Sequence, residues 1–312
     1  MVSSQCCFVK NYFYCAMLFF AHTLFGYGLP GVNLGFTNIL DGGPVRPNPG
    51  IYWQQYLQYY TTQRFLNSEG KPLGGGISSP RFRTLNTITQ FVYQCKMVLP
   101  LKGMPGFVVG LPTVIYSKIN RNELGIQSSG SGFCNLGLGI YTQWGAIMHK
   151  GRPLFIHRLE FDFSIPMGKN KLPEKQINPS NTFFYCGPHW AATLFLSHKW
   201  SLSWRLHYLW NAQNEKINFR AGDAMYLNYS LAYELYPHLF FGAVGYALGQ
   251  LHNNRANGVT IKNSKERVFG AGPGVAYFFS TDIVFFSYLY LEGGARNRPQ
   301  GTSFISRVVM HF

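Results

Sequence analysis

The sequence predicts an all-β protein, a 12-stranded antiparallel transmembrane β-barrel of the bacterial outer membrane with an irregular N-terminal segment. Three observations carry that expectation. First, the 312 residues include only 12% charged but 17% aromatic side chains, whereas soluble domains carry roughly 25% charged residues. Beyond the first residues no run approaches the roughly 20 apolar residues of a spanning helix. In lipid, half-apolar strands satisfy their backbone groups only in a closed sheet. Second, strand-like runs bounded by turn residues recur along the chain, joined by links that alternate between short and long. Third, the last segment alternates: Phe304, Ser306, Val308, Met310 and Phe312 share one face, while Ser303, Arg307 and His311 share the other with Ile305 and Val309.

Residues 1–28 read as a secretory signal peptide. Lys10 supplies a weak positive region, 12–25 is an apolar core interrupted by His22, and Gly26-Tyr27-Gly28 places cleavage after Gly28. The competing reading is a retained membrane anchor; a lipoprotein site at Cys15 is disfavoured by the large Phe13 and Tyr14 before it. Cleavage removes Cys6, Cys7 and Cys15 and leaves Cys95, Cys134 and Cys186, an odd number without metal spacing. They are expected to be small, mostly buried apolar residues. Residues 29–50 are too rich in glycine and proline for a strand or helix. Irregular backbone at membrane depth persists only where protein or water surrounds it, so this segment is either a periplasmic linker or a plug inside the barrel. Asn38 and Asp41 are the expected plug contacts, because both can bond to charges on the wall.

The barrel occupies 51–312. Its strands fall near 51–65, 84–98, 106–117, 133–146, 153–165, 183–196, 200–210, 223–235, 239–250, 267–279, 283–292 and 302–312. Trp200, Leu202, Trp204, Leu206, Tyr208 and Trp210 alternate cleanly with Ser201, Ser203, Arg205 and His207, as do Leu227 to Leu235 with Asn228, Ser230 and Glu234. Short links follow the even strands, and long polar ones, including 293–301, follow the odd strands. Outer-membrane barrels have an even strand count, short periplasmic turns and longer outer loops. Tyr52-Trp53, Tyr59-Tyr60, Tyr116, Trp144, Trp200, Trp210, Tyr277 and Tyr290 sit near strand ends, as interfacial girdles would; ordinary β propensity also favours them there.

With the apolar face turned to lipid, the lumen follows. A polar strip is expected from Arg158, Glu160, Asp162, Arg205, His207, Glu234, Arg307 and His311, since charges do not face lipid cheaply. Its plain role is an ion-pair network bracing the wall; the sharper one is selection of a solute. A glycine wall is expected from Gly137, Gly139, Gly145, Gly245, Gly249, Gly270, Gly272 and Gly274, because glycine in a strand leaves room close to the backbone. Pro112, Pro188 and Pro273 lie within strands and are expected as bulges, or as kinks that let an apolar solute leave sideways into the bilayer.

The net charge of +15 does not indicate nucleic acid. Lys169, Lys171, Lys175, Lys262, Lys265 and Arg267 fall in or beside loop-like segments, not on one element interleaved with aromatics. Facing outward, they would meet lipopolysaccharide or simply solvent. Nothing calls for a metal or another cofactor. Catalysis is not expected either, although one 12-stranded barrel family consists of phospholipases. Such a site needs serine beside histidine at the outer boundary. His198 with Ser201 sits at a predicted periplasmic turn, and His189 with Thr193 lacks the serine. Gly74-Gly75-Gly76 precedes Ile77-Ser78-Ser79-Pro80 and not a helix, so it forms no phosphate loop.

Gly35-Phe36-Thr37-Asn38-Ile39-Leu40-Asp41-Gly42-Gly43, followed by Pro49 to Tyr60, resembles the start of the outer-membrane proteins associated with the meta-pathway of phenol degradation. The likeness continues loosely through Phe184-Tyr185, Ala191 to Thr193 and Ser203 to Tyr208. It implies a channel for small hydrophobic or aromatic compounds, without binding residues to carry over. Expected partners are outer-membrane lipid and lipopolysaccharide, the solute, and the barrel-assembly machinery through the strand ending in Phe312. The alternative is a non-transporting surface barrel serving adhesion or membrane integrity, which would pass neither ions nor aromatic solutes.

Overall fold

The structure, a computed structural model, describes residues 32–73, 80–120, 126–168, 176–180 and 183–312. The expected signal peptide, residues 29–31, Gly74 to Gly76, and Lys169, Lys171 and Lys175 lie outside the described residues.

Twelve long strands follow one another: β1 Gly50–Phe65, β2 Arg81–Gln94, β3 Gly103–Asn120, β4 Leu136–Trp144, β5 Arg152–Ile165 and β6 Tyr185–Phe195. They continue as β7 Trp200–Asn211, β8 Ala224–Tyr236, β9 Leu239–Gln250, β10 Arg267–Phe278, β11 Ile283–Arg296 and β12 Pro299–His311. Each pairs antiparallel with the next, and β12 pairs with β1, Trp53 lying opposite Met310. The Phe312 N–H donates to the Ile51 carbonyl across this seam at 2.9 Å. Closure gives each of the twelve long strands a neighbour on both sides, which is what makes a sheet tolerable in hydrocarbon.

Side-chain alternation sets the two faces. On β7, Ser201, Ser203, Arg205, His207 and Asn211 are buried inside while Trp200, Leu206 and Trp210 are exposed outside. Short turns close one end of the barrel, as at Pro237-His238. At the other end, 219–220, 255–256 and 259–260 build a small sheet between the loops after β7 and β9.

Several expectations need correction. The link after β11 is not long: only Asn297 and Arg298 separate the strands, with Asn297 at φ 52°. Its composition suggested a loop, but Glu292 accepts the Gly301 N–H and Gln300 accepts the Ala295 N–H, which holds both strands together past the glycines. The prolines of β6 and β10 are not bulges. Cys186 opposite Trp210 and His189 opposite His207 keep one register across Pro188, and Ala271 opposite Leu291 and Gly274 opposite Tyr288 keep one across Pro273. The ladder lapses locally there; a Cβ on Gly187 or Gly272 would strike the carbonyl of Tyr208 or Leu289. Pro112 pairs with Ile88, and the register shift in that ladder lies farther along, past Val114. Cys95, Cys134 and Cys186 are free and half-buried, not buried.

The largest apolar core lies inside the barrel. Leu34 and Ile39, which precede β1, pack with Val244, Tyr246, Phe286, Tyr288, Tyr290 and Ile305 from β9, β11 and β12. The inner wall is therefore apolar and aromatic on this side and polar on the side of β4 to β7. Equating apolar with lipid-facing consequently fails on β9: Val244, Tyr246 and Leu248 point inward, and Gly245 and Gly249 face outward, Gly245 beneath the exposed Tyr229 ring. Tyr290 is fully buried inside and belongs to no interfacial girdle.

Candidate functional site: the lumenal seat of residues 32–49

The segment before β1 lies against inward side chains from both sides of the lumen. Gly35 adopts φ 78°, and a Cβ there would press into the Tyr290 ring. Its N–H donates to Asn228 Oδ1 at 3.0 Å, and its carbonyl accepts the Tyr290 hydroxyl at 2.8 Å. That hydroxyl in turn accepts from Asn38 Nδ2 at 2.5 Å, and Ser230 Oγ donates to the Asn38 carbonyl at 3.0 Å. Ile39 is 1% exposed, a burial that contributes about 2 kcal/mol.

Asp41 reaches the polar wall. Arg205 Nε and Nη2 each donate to one of its carboxylate oxygens at 2.7 Å, a paired geometry that fixes direction as well as charge. The Gly42 N–H then donates to Thr193 Oγ1 at 2.9 Å, and its carbonyl accepts Gln143 Nε2 at 2.9 Å. A Cβ on Gly42 would fall 2.5 Å from the Thr193 nitrogen and 2.6 Å from the Ile156 carbonyl, so only glycine fits against the wall here. Farther along, the Ala146 N–H donates to the Val45 carbonyl. The motif from Gly35 to Gly43 is thus a run of contacts to the wall.

The polar strip is only partly one group. Glu160, Asp162, Arg205 and His207 surround His189, and Arg158 joins them through Glu160 at 3.5 Å. His189 Nδ1 lies 2.8 Å from Asp162 Oδ2, and its Nε2 lies 3.0 Å from Arg205 Nη1 and 3.4 Å from Glu160 Oε2. Arg158 donates to Gln143 and covers the Tyr141 ring. His207 stacks on Tyr226 with centroids 4.1 Å apart. Arg307 stands apart, between the rings of Phe286 and Tyr56. Glu234 and His311 belong to the short-turn rim: Glu234 accepts the His238 N–H, and His311 meets Asp282 and stacks on Tyr52.

The inward glycines accommodate the barrel's own groups. A Cβ on Gly139 would meet the Glu160 and Asp162 carboxylates, on Gly270 the Tyr246 ring, and on Gly274 Val244 and Tyr288. Gly137 lies near the Gly110 carbonyl and Gly145 near Pro47. Of the hydrolase candidates, Thr193 Oγ1 contacts Gly42 and Ser203, and Ser201 Oγ is buried without a hydrogen bond.

Sequence reasoning missed His189, Thr193, Tyr290 and Glu292 as parts of the lumen, whereas the alternation of the fourth strand does turn Gln143 inward. Glu292 accepts both the Tyr60 and Tyr246 hydroxyls, at 2.7 and 2.8 Å. An isolated carboxylate after the apolar run of β11 was the available signal for it.

The fold is similar to that of an outer-membrane channel from Pseudomonas putida F1, with TM-score 0.73 at 13% identity over 90% of this chain and all of the other. Weaker likeness links it to the transport unit of the autotransporter AIDA-I from Escherichia coli (TM-score 0.47, 9% identity, 94% and 96% of the two chains). A FadL homologue from Pseudomonas aeruginosa gives 0.39 at 11% identity over 91% and 99%. No curated protein matches the sequence. A family model matches residues 67–308, most of the chain. The protein belongs to the family described as "Putative MetA-pathway of phenol degradation".

Proposed function

We propose that the protein is a bacterial outer-membrane channel for small hydrophobic or aromatic solutes, with residues 32–49 as its plug. The observation that carries this reading is the two-sided lumen. Tyr226, Tyr246, Phe286, Tyr288 and Tyr290 line one side and share one buried apolar cluster with Leu34 and Ile39. Displacement of the segment would uncover an aromatic wall beside a polar one. Rings on such a wall suit an apolar planar solute, while the polar groups keep the passage hydrated. Membership in a family described by phenol degradation agrees with that chemistry.

The test is uptake of a radiolabelled monoaromatic compound by Gram-negative cells whose lipopolysaccharide layer is intact, with and without the protein in the outer membrane. Faster uptake with the protein supports the channel. Equal rates, together with electrically silent protein in planar bilayers, would favour a sealed surface barrel instead.

A further inference from the structure

Asp162 on β5, His189 on β6 and His207 on β7 each offer a donor atom, and these atoms lie within 4.8 Å of one another. Strand register puts them together: His189 is directly opposite His207 on one side and Glu160 on the other, with Asp162 opposite Gly187. The imidazole centroids are 4.5 Å apart. Both histidines are buried, whereas the Asp162 side chain is 42% exposed and leaves a way in.

Two buried atoms beside this group make no hydrogen bond: His207 Nε2 and Glu160 Oε2. We propose that Asp162, His189 and His207 bind a divalent transition ion of the zinc class, with Glu160 as the positioning residue behind His189. Coordination through His189 Nδ1 expels the proton between it and Asp162 to solvent. The neutral ring then takes up its one proton on Nε2, facing Glu160 Oε2 at 3.4 Å, the carboxylate-imidazole-metal arrangement that orients many metal ligands. His207 supplies the second imidazole. Arg205 Nη1, which can only donate, lies 3.0 Å from the same Nε2 and must shift from it when that nitrogen carries the proton. Two imidazoles and one carboxylate suit zinc, cobalt or nickel, with water completing the shell; calcium and magnesium prefer all-oxygen sites.

Full-length protein in detergent, stripped with a chelator and titrated with Co²⁺, tests the site. We expect one equivalent bound, with the visible absorption of nitrogen-ligated cobalt, displaced by Zn²⁺. His207→Gln and Asp162→Asn should each weaken Co²⁺ binding by about tenfold or more, and Glu160→Ala by about tenfold through loss of orientation. Barrel integrity is read from heat-modifiable migration in gels; Asp162, being half-exposed, keeps the test usable if the buried variants misfold. Absence of Co²⁺ binding by the wild type, or unchanged affinity in folded His207→Gln or Asp162→Asn protein, would overturn the proposal.

Discussion

Arg205 and Asp41 form a buried, doubly hydrogen-bonded ion pair across 164 residues of sequence, joining β7 to a segment that precedes the first strand. Both side chains are nearly enclosed, at 11% and 3% exposure. Removing one partner of such a pair leaves a buried charge, which costs about 3–5 kcal/mol. Asp41→Ala should therefore unseat the segment, raising single-channel conductance in planar bilayers and exposing 32–49 to protease. The Asp41→Ala/Arg205→Ala double variant should recover part of the lost stability. Conductance and proteolysis identical to wild type in Asp41→Ala would contradict a seated plug.

Gly42→Ala tests the same seat without touching a charge. Its methyl group has no room between the Thr193 nitrogen and the Ile156 carbonyl, so the segment must lift while the wall stays closed. Segment proteolysis should accelerate at unchanged barrel melting temperature. Gly249→Ala, where a Cβ meets nothing within 4 Å, is the control and should leave both readings alone.

The Tyr290 hydroxyl joins Asn38 to the Gly35 carbonyl. Tyr290→Phe keeps the ring and removes those bonds, leaving the Gly35 carbonyl only the longer bond from Asn38 Nδ2 at 3.4 Å, at a cost of about 1 kcal/mol. The effect should appear as higher open probability in single-channel recordings, smaller than that of Asp41→Ala. A loss of folded barrel in heat-modifiability gels would instead assign Tyr290 to the wall's own stability.

Acid should loosen the short-turn rim. His311, and after it Thr281, hydrogen-bonds Asp282 and lowers its pKa from the ordinary 3.8. A carboxylate lowered by folding contributes stability that is present above its unfolded value and lost as pH falls through its folded one. Asp282→Asn should thus melt below wild type at pH 7, and the gap should close at a pH below 3.8. A gap that stays constant with pH would assign the effect to something other than the charge. The Asp282 side chain is half exposed, at 49%, so the difference should be small and salt-sensitive.

Much of the wall was legible because lipid imposes a simple rule on the outer face. Trp200, Leu206 and Trp210 alternate with buried polar residues as that rule demands, and all twelve strands lie near their expected positions. The lumen follows no such rule. On β9 the inner face is as apolar as the outer, so Gly245 and Gly249 were assigned to the wrong side. The link at 293–301 misled for a related reason: Glu292 and Gln300 hold its backbone through bonds formed only in three dimensions.

The sequence alone determined the closed antiparallel wall, since few charges, alternating strands and alternating links have one stable solution in a bilayer. It also marked residues 29–50 as a defined irregular segment, linker or plug, with Asn38 and Asp41 as the contacts expected of a plug. Tertiary structure decided where that segment sits and what it meets: Arg205, Thr193 and Gln143 on one side, Tyr290 and Ile39's aromatic neighbours on the other. It likewise brought Asp162, His189 and His207 together. Period-two alternation reports only which face a side chain occupies, whereas neighbours across a lumen depend on strand register and curvature, which no local pattern encodes.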